Sequence, residues 1–351
     1  MPRRYGRVLA VIAALGACLA GLPAHAEPPA PTPITPAMVE AAKKEGKVVW
    51  YTSVELRTAE RVAKAFEAKY PGITVQVERS GAERNFQRIA QEYSSGIRVA
   101  DVLESSDASH FIVWKKQGWL TPFVPEEVAK DWPADQRDPD GMFATWRSTF
   151  CPMGYNTKLL KPEEAPKSYA ELTDPKWSGK LVKAHPGYSG TILTATFEIV
   201  RDVGWPFLEK LSKQRVMQLQ SATDPPKKLA AGERAVMADG SEYVLLQLKD
   251  EGSPVEPIYP TEGTPFVTGP SGILKDAPHP NAARLYQDFV FSLEAQQMIV
   301  DVGAMRSLHP QVTEKAGRTP LKAIKAMKDD PAAVESQVEA IKKRYTQYFR
   351  T

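Results

Sequence analysis

Cysteine is almost absent from this chain, which has only Cys18 and Cys151 in 351 residues. So few thiols exclude a scaffold built on disulfides and a zinc site rich in cysteine. The mean hydropathy is −0.35, which excludes a membrane protein with many spans. A length of 351 residues with 42% hydrophobic composition instead suits a globular protein of two domains or lobes.

Signatures of catalysis are also missing. The sequence has no H-E-x-x-H, no P-loop and no G-x-G-x-x-G. The five histidines include no pair at metal-ligand spacing, and residues 187–191 miss the nucleophile elbow because Thr191 replaces its last glycine. We therefore expect no enzyme and no cofactor. A secreted hydrolase with Ser189 as nucleophile stays as an alternative.

The N-terminal 26 residues have the layout of a secretory signal peptide. Arg3, Arg4 and Arg7 precede an apolar run that ends in a small-x-small site at residues 24–26. Cleavage there would leave 42 basic and 42 acidic residues, so nucleic-acid binding driven by bulk charge is not expected. We expect export to the periplasm. Alternatives are a lipoprotein anchored at Cys18 and a twin-arginine signal.

The mature chain begins with a proline-rich lead, residues 27–36, and then alternates strand and helix patterns. Thr35 and Pro36 predict a helix start, and residues 48–52 form an apolar run typical of a buried strand. Ser168 and Glu171 form a capping-box pattern that predicts a short helix. The alternation predicts an α/β sheet with helices on both faces.

Short loops rich in hydroxyl groups and glycine recur where a predicted strand ends and a helix begins. In open α/β sheets, ligands bind beyond the carboxyl ends of the strands, and helix N-termini there favour anions. Each loop alone is also compatible with an ordinary cap or turn. The ligand-binding candidates in these loops are Ser53, Ser80, Gly81, Ser105, Ser106, Tyr188, Ser189, Gly190, Thr191, Ser241 and Tyr243.

Six segments carry a resemblance to a known family: KVVWYTSVE, AFEAKYPGITVQ, ADVLESSD, MGYNTKLL, DPKWSGKL and GPSGILKDAPHPNAARLYQDFV. They resemble bacterial extracellular solute-binding proteins of ABC importers, in the ferric-ion-binding-like branch. The resemblance implies a type II periplasmic-binding fold with two α/β lobes that close on a ligand. Lobe 1 would comprise residues 27–147 and 265–351, and lobe 2 residues 148–264. The expected partners are an ABC permease and its ATPase subunits, and the expected state is a monomer.

The ligand is the open question in this resemblance. Ferric members use neighbouring tyrosines where this chain has only Tyr243 beside Glu242, so a ferric site would have to consist of Glu55, Glu242 and Tyr243. The serine-rich loops favour a small phosphorylated or carboxylated organic anion, with Arg84 or Arg88 as the compensating charge. A ferric-iron-binding protein and a solute-sensing receptor remain alternatives.

Overall fold

A computed structural model describes Met1 and residues 29–350. The predicted signal peptide, with Cys18, lies outside the described residues apart from Met1. Between residues 29 and 350, no helix is both long and apolar enough to span a membrane.

Helices and strands alternate along most of the chain. The helices are α1 (Pro36–Glu45), α2 (Leu56–Lys69), α3 (Ala82–Ser94), α4 (Ala108–Lys116), α5 (Glu126–Asp131), α6 (Gly190–Asp202), α7 (Trp205–Ser212), α8 (Asp224–Ala230), α9 (Glu242–Asp250), α10 (Pro280–Phe291), α11 (Leu293–Asp301) and α12 (Pro331–Phe349). The strands are β1 (Lys47–Thr52), β2 (Thr74–Arg79), β3 (Val102–Glu104), β4 (Leu120–Thr121), β5 (Ala144–Phe150), β6 (Met153–Asn156), β7 (Leu181–Ala184), β8 (Met217–Leu219), β9 (Val236–Met237), β10 (Val255–Ile258) and β11 (Phe266–Leu274).

The strands form two sheets, one in each lobe. The first sheet has the order β2-β1-β3-β11-β4, and β5 pairs with β11. The second sheet has the order β10-β6-β9-β7-β8. The chain passes from the first sheet to the second between β5 and β6, and returns between β10 and β11. This is the predicted two-lobed α/β architecture, in which two connections join the lobes.

Local signals at the start of the fold are confirmed. Thr35 caps α1, because its hydroxyl accepts a hydrogen bond from the Met38 amide at 3.2 Å, and Pro36 is the first helical residue. Gly46 ends the helix in a left-handed conformation with φ of 73°. The apolar run at 48–52 lies in β1, where Trp50 packs edge-on against Trp146 with ring centroids 5.6 Å apart.

The prediction of a short α-helix starting at Ser168 and Glu171 is wrong. The capping bond is present, since the Glu171 amide donates to Ser168 Oγ at 3.2 Å. The chain nevertheless forms only single 3-10 turns, Glu171–Thr173 and Pro175–Trp177. Pro175 lacks an N–H group, so it cannot continue the hydrogen-bond ladder that Glu171 begins.

Helix α12 packs on both lobes. Its residues Val334 and Ile341 are buried against Leu193 and Phe197 of α6 in the second lobe. On the other side, Glu335 pairs with Lys116 of α4 at 3.1 Å, which ties the helix to the first lobe. The C-terminal helix therefore contacts both lobes.

Candidate functional site

A small cavity lies between the two lobes, with an enclosed volume of about 20 Å³. It is bounded by loops that follow parallel strands in both sheets, which is where α/β sheets bind ligands. From the first lobe it is lined by Ser53, Arg79, Gly81, Ala82, Ser106 and Arg147. From the second lobe it is lined by Tyr188, Ser189, Thr191, Ser221, Ala222, Thr223, Ser241 and Tyr243. Thus eight of the eleven loop residues named above as ligand-binding candidates meet at one place.

Helices α3, α6 and α9 begin at the cavity wall. Gly81 precedes α3, Ser189 precedes α6 and Ser241 precedes α9. Among the described residues, no side chain caps the first turn of α3 or α9. The free amide groups and the partial positive charge at these helix ends favour a negatively charged ligand.

Arg147 is buried at the base of the cavity with Glu104. The Arg147 Nη2 and Nε atoms donate to Glu104 Oε1 at 2.7 and 3.0 Å, and the two side chains are 2% and 0% exposed. The third guanidinium nitrogen, Nη1, has no hydrogen-bond partner among the described residues. A buried donor without a partner is costly, so this nitrogen is suited to a group that enters the cavity.

The sheet pairing brings Arg147 to this position. Arg147 on β5 lies opposite Gly269 on β11. A Cβ atom at Gly269 would lie 3.0 Å from Arg147 Cγ, so glycine leaves the room that the arginine side chain occupies. Because β11 also pairs with β3, the guanidinium reaches Glu104 at the end of β3.

Glu104 also fixes the loop after β1. Ser53 Oγ donates to Glu104 Oε2 at 3.0 Å, and Ser53 Oγ in turn accepts from the Ser106 amide at 3.1 Å. The only hydroxyl proton of Ser53 is thereby engaged with the carboxylate. In this geometry Ser53 orients the loops of the cavity rather than donating into it.

Arg79 supplies a second positive charge. It is the last residue of β2, and its Nη2 donates across the cleft to Ser221 Oγ at 3.2 Å. Its Nε donates to the Val54 carbonyl at 3.3 Å. Within residues 29–350, no carboxylate forms an ion pair with Arg79, and none of the residues that line the cavity is acidic. Its charge is therefore left for a ligand.

Several hydroxyl groups can donate into the cavity. Those of Ser106, Thr191 and Ser241 form no hydrogen bond with other residues in the described part of the chain. Ser189 Oγ accepts from the Ile192 amide at 3.4 Å, which leaves its proton free. These groups add neutral donors to the two guanidinium groups.

Tyr243 is a neutral donor at the wall of the cavity. Its hydroxyl oxygen accepts from the Glu55 amide at 3.0 Å, so its proton points elsewhere. Burial raises the pKa of Tyr243 above its usual value, although the charge of Arg147 opposes this effect. The side chain is accordingly a phenol at neutral pH.

Ser80, Ser105 and Gly190 do not line the cavity. The Ser105 hydroxyl is 2.9 Å from His110 Nδ1 and accepts from the Asp107 amide at 3.1 Å, so it belongs to a polar cluster behind the wall. The Ser80 amide continues the backbone bonds of β1 and β2 by donating to the Thr52 carbonyl. Gly190 lies where the lobes touch.

The two arginines expected to compensate an anion lie elsewhere. Arg84 Nη2 donates to Gln220 Oε1 at 2.6 Å on the exposed rim of the cleft. Arg88 is paired with Glu92 at 2.8 Å. Neither lines the cavity, because α3 turns these positions away from the loop after β2.

The three ferric candidates do not converge on the cavity either. Glu242 Oε1 accepts from Arg306 Nη2 at 2.8 Å and from the Tyr259 hydroxyl at 2.7 Å, which neutralises this buried carboxylate. Glu55 Oε2 accepts from the Thr58 amide at 3.3 Å and caps α2. Of the three, only Tyr243 lines the cavity.

Sequence reasoning missed Arg79, Arg147, Ser221 and Thr223. Arg79 had a usable signal, because it ends a strand immediately before the Ser80-Gly81 loop. Arg147 had none, since its place depends on the pairing of β5 with β11, which are more than a hundred residues apart.

Gly190 marks how closely the lobes approach. A Cβ atom at this position would lie 2.7 Å from Asp107 Cβ and 3.0 Å from Ala82 Cβ, both in the first lobe. Such overpacking costs about 1–3 kcal/mol. Because the contact is between lobes, opening the cleft relieves it.

The Gly190→Ala variant is therefore expected to bind a ligand in this cavity about 5- to 150-fold more weakly, with the unfolding midpoint of the ligand-free protein unchanged. Calorimetric titration and thermal unfolding measure the two quantities. Unchanged affinity would mean that the lobes of the liganded protein stay farther apart than in this structure.

Comparison with known proteins agrees with this architecture. The family model described as bacterial extracellular solute-binding protein matches residues 52–297. An uncharacterized protein of Haemophilus influenzae is 26% identical over 268 residues, 74% of this chain and 76% of that protein. The probable ABC transporter periplasmic-binding protein y4fP of Sinorhizobium fredii is 24% identical over 237 residues, 64% of each chain.

Solved structures share the fold. The periplasmic binding protein AfuA from Actinobacillus pleuropneumoniae, with exogenous fructose-6-phosphate bound, has a TM-score of 0.80 at 24% identity, covering 87% of this chain and 99% of that one. Iron-bound HitA from Pseudomonas aeruginosa has a TM-score of 0.73 at 22% identity, covering 85% and 99%. With most of the chain inside the family match and two lobes around one cleft, the protein belongs to the bacterial extracellular solute-binding proteins.

Proposed function

We propose that this protein captures a small phosphorylated or carboxylated organic anion in the cavity between its lobes and delivers it to an ABC permease. The observation that carries the proposal is the charge of the cavity wall. Arg79 and Arg147 face a space whose described lining contains no carboxylate.

The donors suit an oxyanion with several acceptor oxygens. Guanidinium groups bind phosphate and carboxylate through parallel hydrogen bonds. The unpartnered Nη1 of Arg147 would gain a charged acceptor, and the amides at the start of α3 and α9 would gain further ones. An anion would thus satisfy groups that the protein alone leaves unsatisfied.

The cavity is nearly closed in this structure. Its enclosed space of about 20 Å³ has room for about one water molecule, so a solute has to displace the side chains around it. A sugar phosphate combines a dianionic head with hydroxyl groups, which matches two arginines surrounded by serine and threonine. The fructose-6-phosphate bound to the Actinobacillus relative is a ligand of this class.

Ferric iron is less well matched to this wall. A trivalent hard cation requires anionic oxygen ligands. Among the described residues that line it, the cavity offers Tyr188 and Tyr243 but no carboxylate, and the guanidinium group of Arg79, which is not paired with a carboxylate, would repel a bare cation. The iron-bound Pseudomonas relative makes iron the alternative that an experiment must test.

Closure follows from the division of the donors between the lobes. Arg79 and Arg147 belong to the first lobe, whereas Ser189 and Ser241 belong to the second. Only the closed state offers both sets to one solute, so binding stabilises closure. The closed protein would then dock on a permease in the membrane, whose ATPase subunits supply the energy. Such capture would take place in the periplasm after removal of residues 1–26.

A thermal-shift screen of the chelator-treated mature protein tests the ligand class. The probes are fructose-6-phosphate, inorganic phosphate, citrate and ferric citrate. A solute at a hundred times its Kd adds about 2.7 kcal/mol of stability, which raises the unfolding midpoint by a few degrees. We expect a shift with an organic phosphate or carboxylate in the absence of metal. A shift with ferric citrate alone, accompanied by a visible charge-transfer band, would contradict the proposal.

The contribution of the second lobe is tested by a Ser189→Ala, Thr191→Ala double variant. We expect it to lose about 1–3 kcal/mol of binding free energy, because two neutral hydrogen bonds to the anion disappear. Solute affinity measured by calorimetry is the readout. Unchanged affinity would place the solute away from the start of α6.

A further inference from the structure

A buried cluster of two carboxylates and an imidazole lies behind the cavity wall. It consists of Glu83 from α3 together with Asp107 and His110 from the start of α4. His110 Nε2 is 3.0 Å from Glu83 Oε1 and 3.6 Å from Asp107 Oδ2. One ligand atom from each residue lies within 4.8 Å of the other two, and all three side chains are buried. None of the three lines the solute cavity.

One carboxylate oxygen of the cluster is unsatisfied. Asp107 Oδ1 accepts from the Ser109 amide at 2.9 Å and caps α4. Its Oδ2 is buried without a hydrogen-bond partner among the described residues, and Asp107 is 1% exposed. A buried anionic oxygen requires a partner, and this one faces His110 Nε2.

We propose that Glu83, Asp107 and His110 bind a divalent transition-metal ion of the zinc class. Zinc is bound by imidazole nitrogen and carboxylate oxygen at about 2.0–2.2 Å in tetrahedral geometry, which separates neighbouring ligand atoms by about 3.3–3.6 Å. Of the two separations from His110 Nε2, 3.6 Å lies at the upper end of this range and 3.0 Å lies just below it. Small side-chain rotations suffice to place the three atoms around one ion.

The surroundings of His110 support metal ligation. Ser105 Oγ lies 2.9 Å from His110 Nδ1. A bond from Nδ1–H to this oxygen leaves Nε2 as the free ligand atom, and such a second contact orients a metal-binding histidine. The His110 ring also stacks on Phe86, with centroids 4.4 Å apart.

Lys342 of α12 occupies the open side of the cluster. Its Nζ is 2.6 Å from Glu83 Oε2, and its side chain is 25% exposed. The ammonium group competes with a cation for this carboxylate and can swing into solvent. Lys342 therefore sets the affinity of the site, and removing its charge strengthens metal binding.

The experiment is calorimetric titration of the chelator-treated mature protein with Zn²⁺, repeated with Co²⁺ while visible absorption is recorded. We expect one equivalent with tetrahedral cobalt bands. Asp107→Asn keeps the helix cap and is expected to lower the affinity at least about 10-fold. Lys342→Met is expected to raise the affinity severalfold.

Glu127, Asp131 and His309 form a second, partly exposed group at which metal could bind instead. Glu127→Gln is the matched control and is expected to leave the titration unchanged. Loss of the zinc equivalent in Glu127→Gln but not in Asp107→Asn would overturn the proposal. No uptake by either the parent or Lys342→Met would also overturn it. Circular dichroism confirms that each variant is folded, and the readout is independent of the transported solute.

Discussion

Replacement of Arg147 by lysine is expected to weaken solute binding by about 10- to 150-fold, because a charge-assisted hydrogen bond contributes about 1.5–3 kcal/mol. Lysine can keep one ion pair with Glu104, but it has no second and third nitrogen in a fixed plane. The group lost is Nη1, the only guanidinium nitrogen of Arg147 without a partner among the described residues. Calorimetric titration with the solute found by the thermal-shift screen measures the change.

Replacing Arg147 with an uncharged residue is expected to affect folding as well as binding. Arg147→Met leaves the Glu104 carboxylate buried without its cation, which costs about 3–5 kcal/mol of unfolding free energy. Adding Glu104→Gln neutralises the remaining carboxylate and is expected to restore most of that stability. Binding is expected to stay lost in the double variant. Denaturant unfolding and solute titration on the same samples separate the two effects.

A different pattern would contradict this role for Arg147. If the Arg147→Lys variant binds the solute as tightly as the parent, the guanidinium supports the fold through Glu104 and does not touch the solute. If the double variant regains both stability and affinity, the effect of Arg147 on binding is indirect.

Much of the architecture follows from local patterns. The cap at Thr35, the apolar run at 48–52 and the left-handed Gly46 each act over a few residues, so they can be recognised without knowledge of the sheet. The helix expected at Ser168 shows the limit of such signals. Its capping bond forms, yet Pro175 prevents the helix, because a cap specifies where a helix can begin and not that it continues.

The candidate site also contains residues that local sequence predicts and residues that it does not. Ser106, Ser189 and Ser241 follow strand ends, and topology alone brings such loops to one edge of each sheet. The charged residues are set by distant pairings instead. Arg147 reaches the cavity because β5 lies beside β11 and Gly269 leaves space for it. An arginine inside a strand shows nothing of this in the sequence.

Arg79 is expected to contribute as much to solute affinity as Arg147. Unlike Arg147, within residues 29–350 it forms no buried ion pair that supports the fold. Arg79→Gln removes a positive charge that has no carboxylate partner within the described residues and keeps a side chain of similar length. We expect solute affinity to fall about 10- to 150-fold, with the unfolding midpoint of the solute-free protein little changed. The measurement is solute titration at low and at high salt. We expect the loss of affinity to persist at high salt, because the charge of Arg79 acts at short range on a solute enclosed with it.

Arg84 offers a matched control for this experiment. Both arginines donate across the cleft to the second lobe, Arg79 to Ser221 and Arg84 to Gln220. Arg84→Gln therefore removes the same charge and one bond between the lobes, but from a residue that does not line the cavity. We expect its effect on affinity to be small and to vanish at high salt, as for an exposed charge. Equal losses in the two variants would show that closure of the lobes, and not contact of Arg79 with the anion, accounts for the affinity.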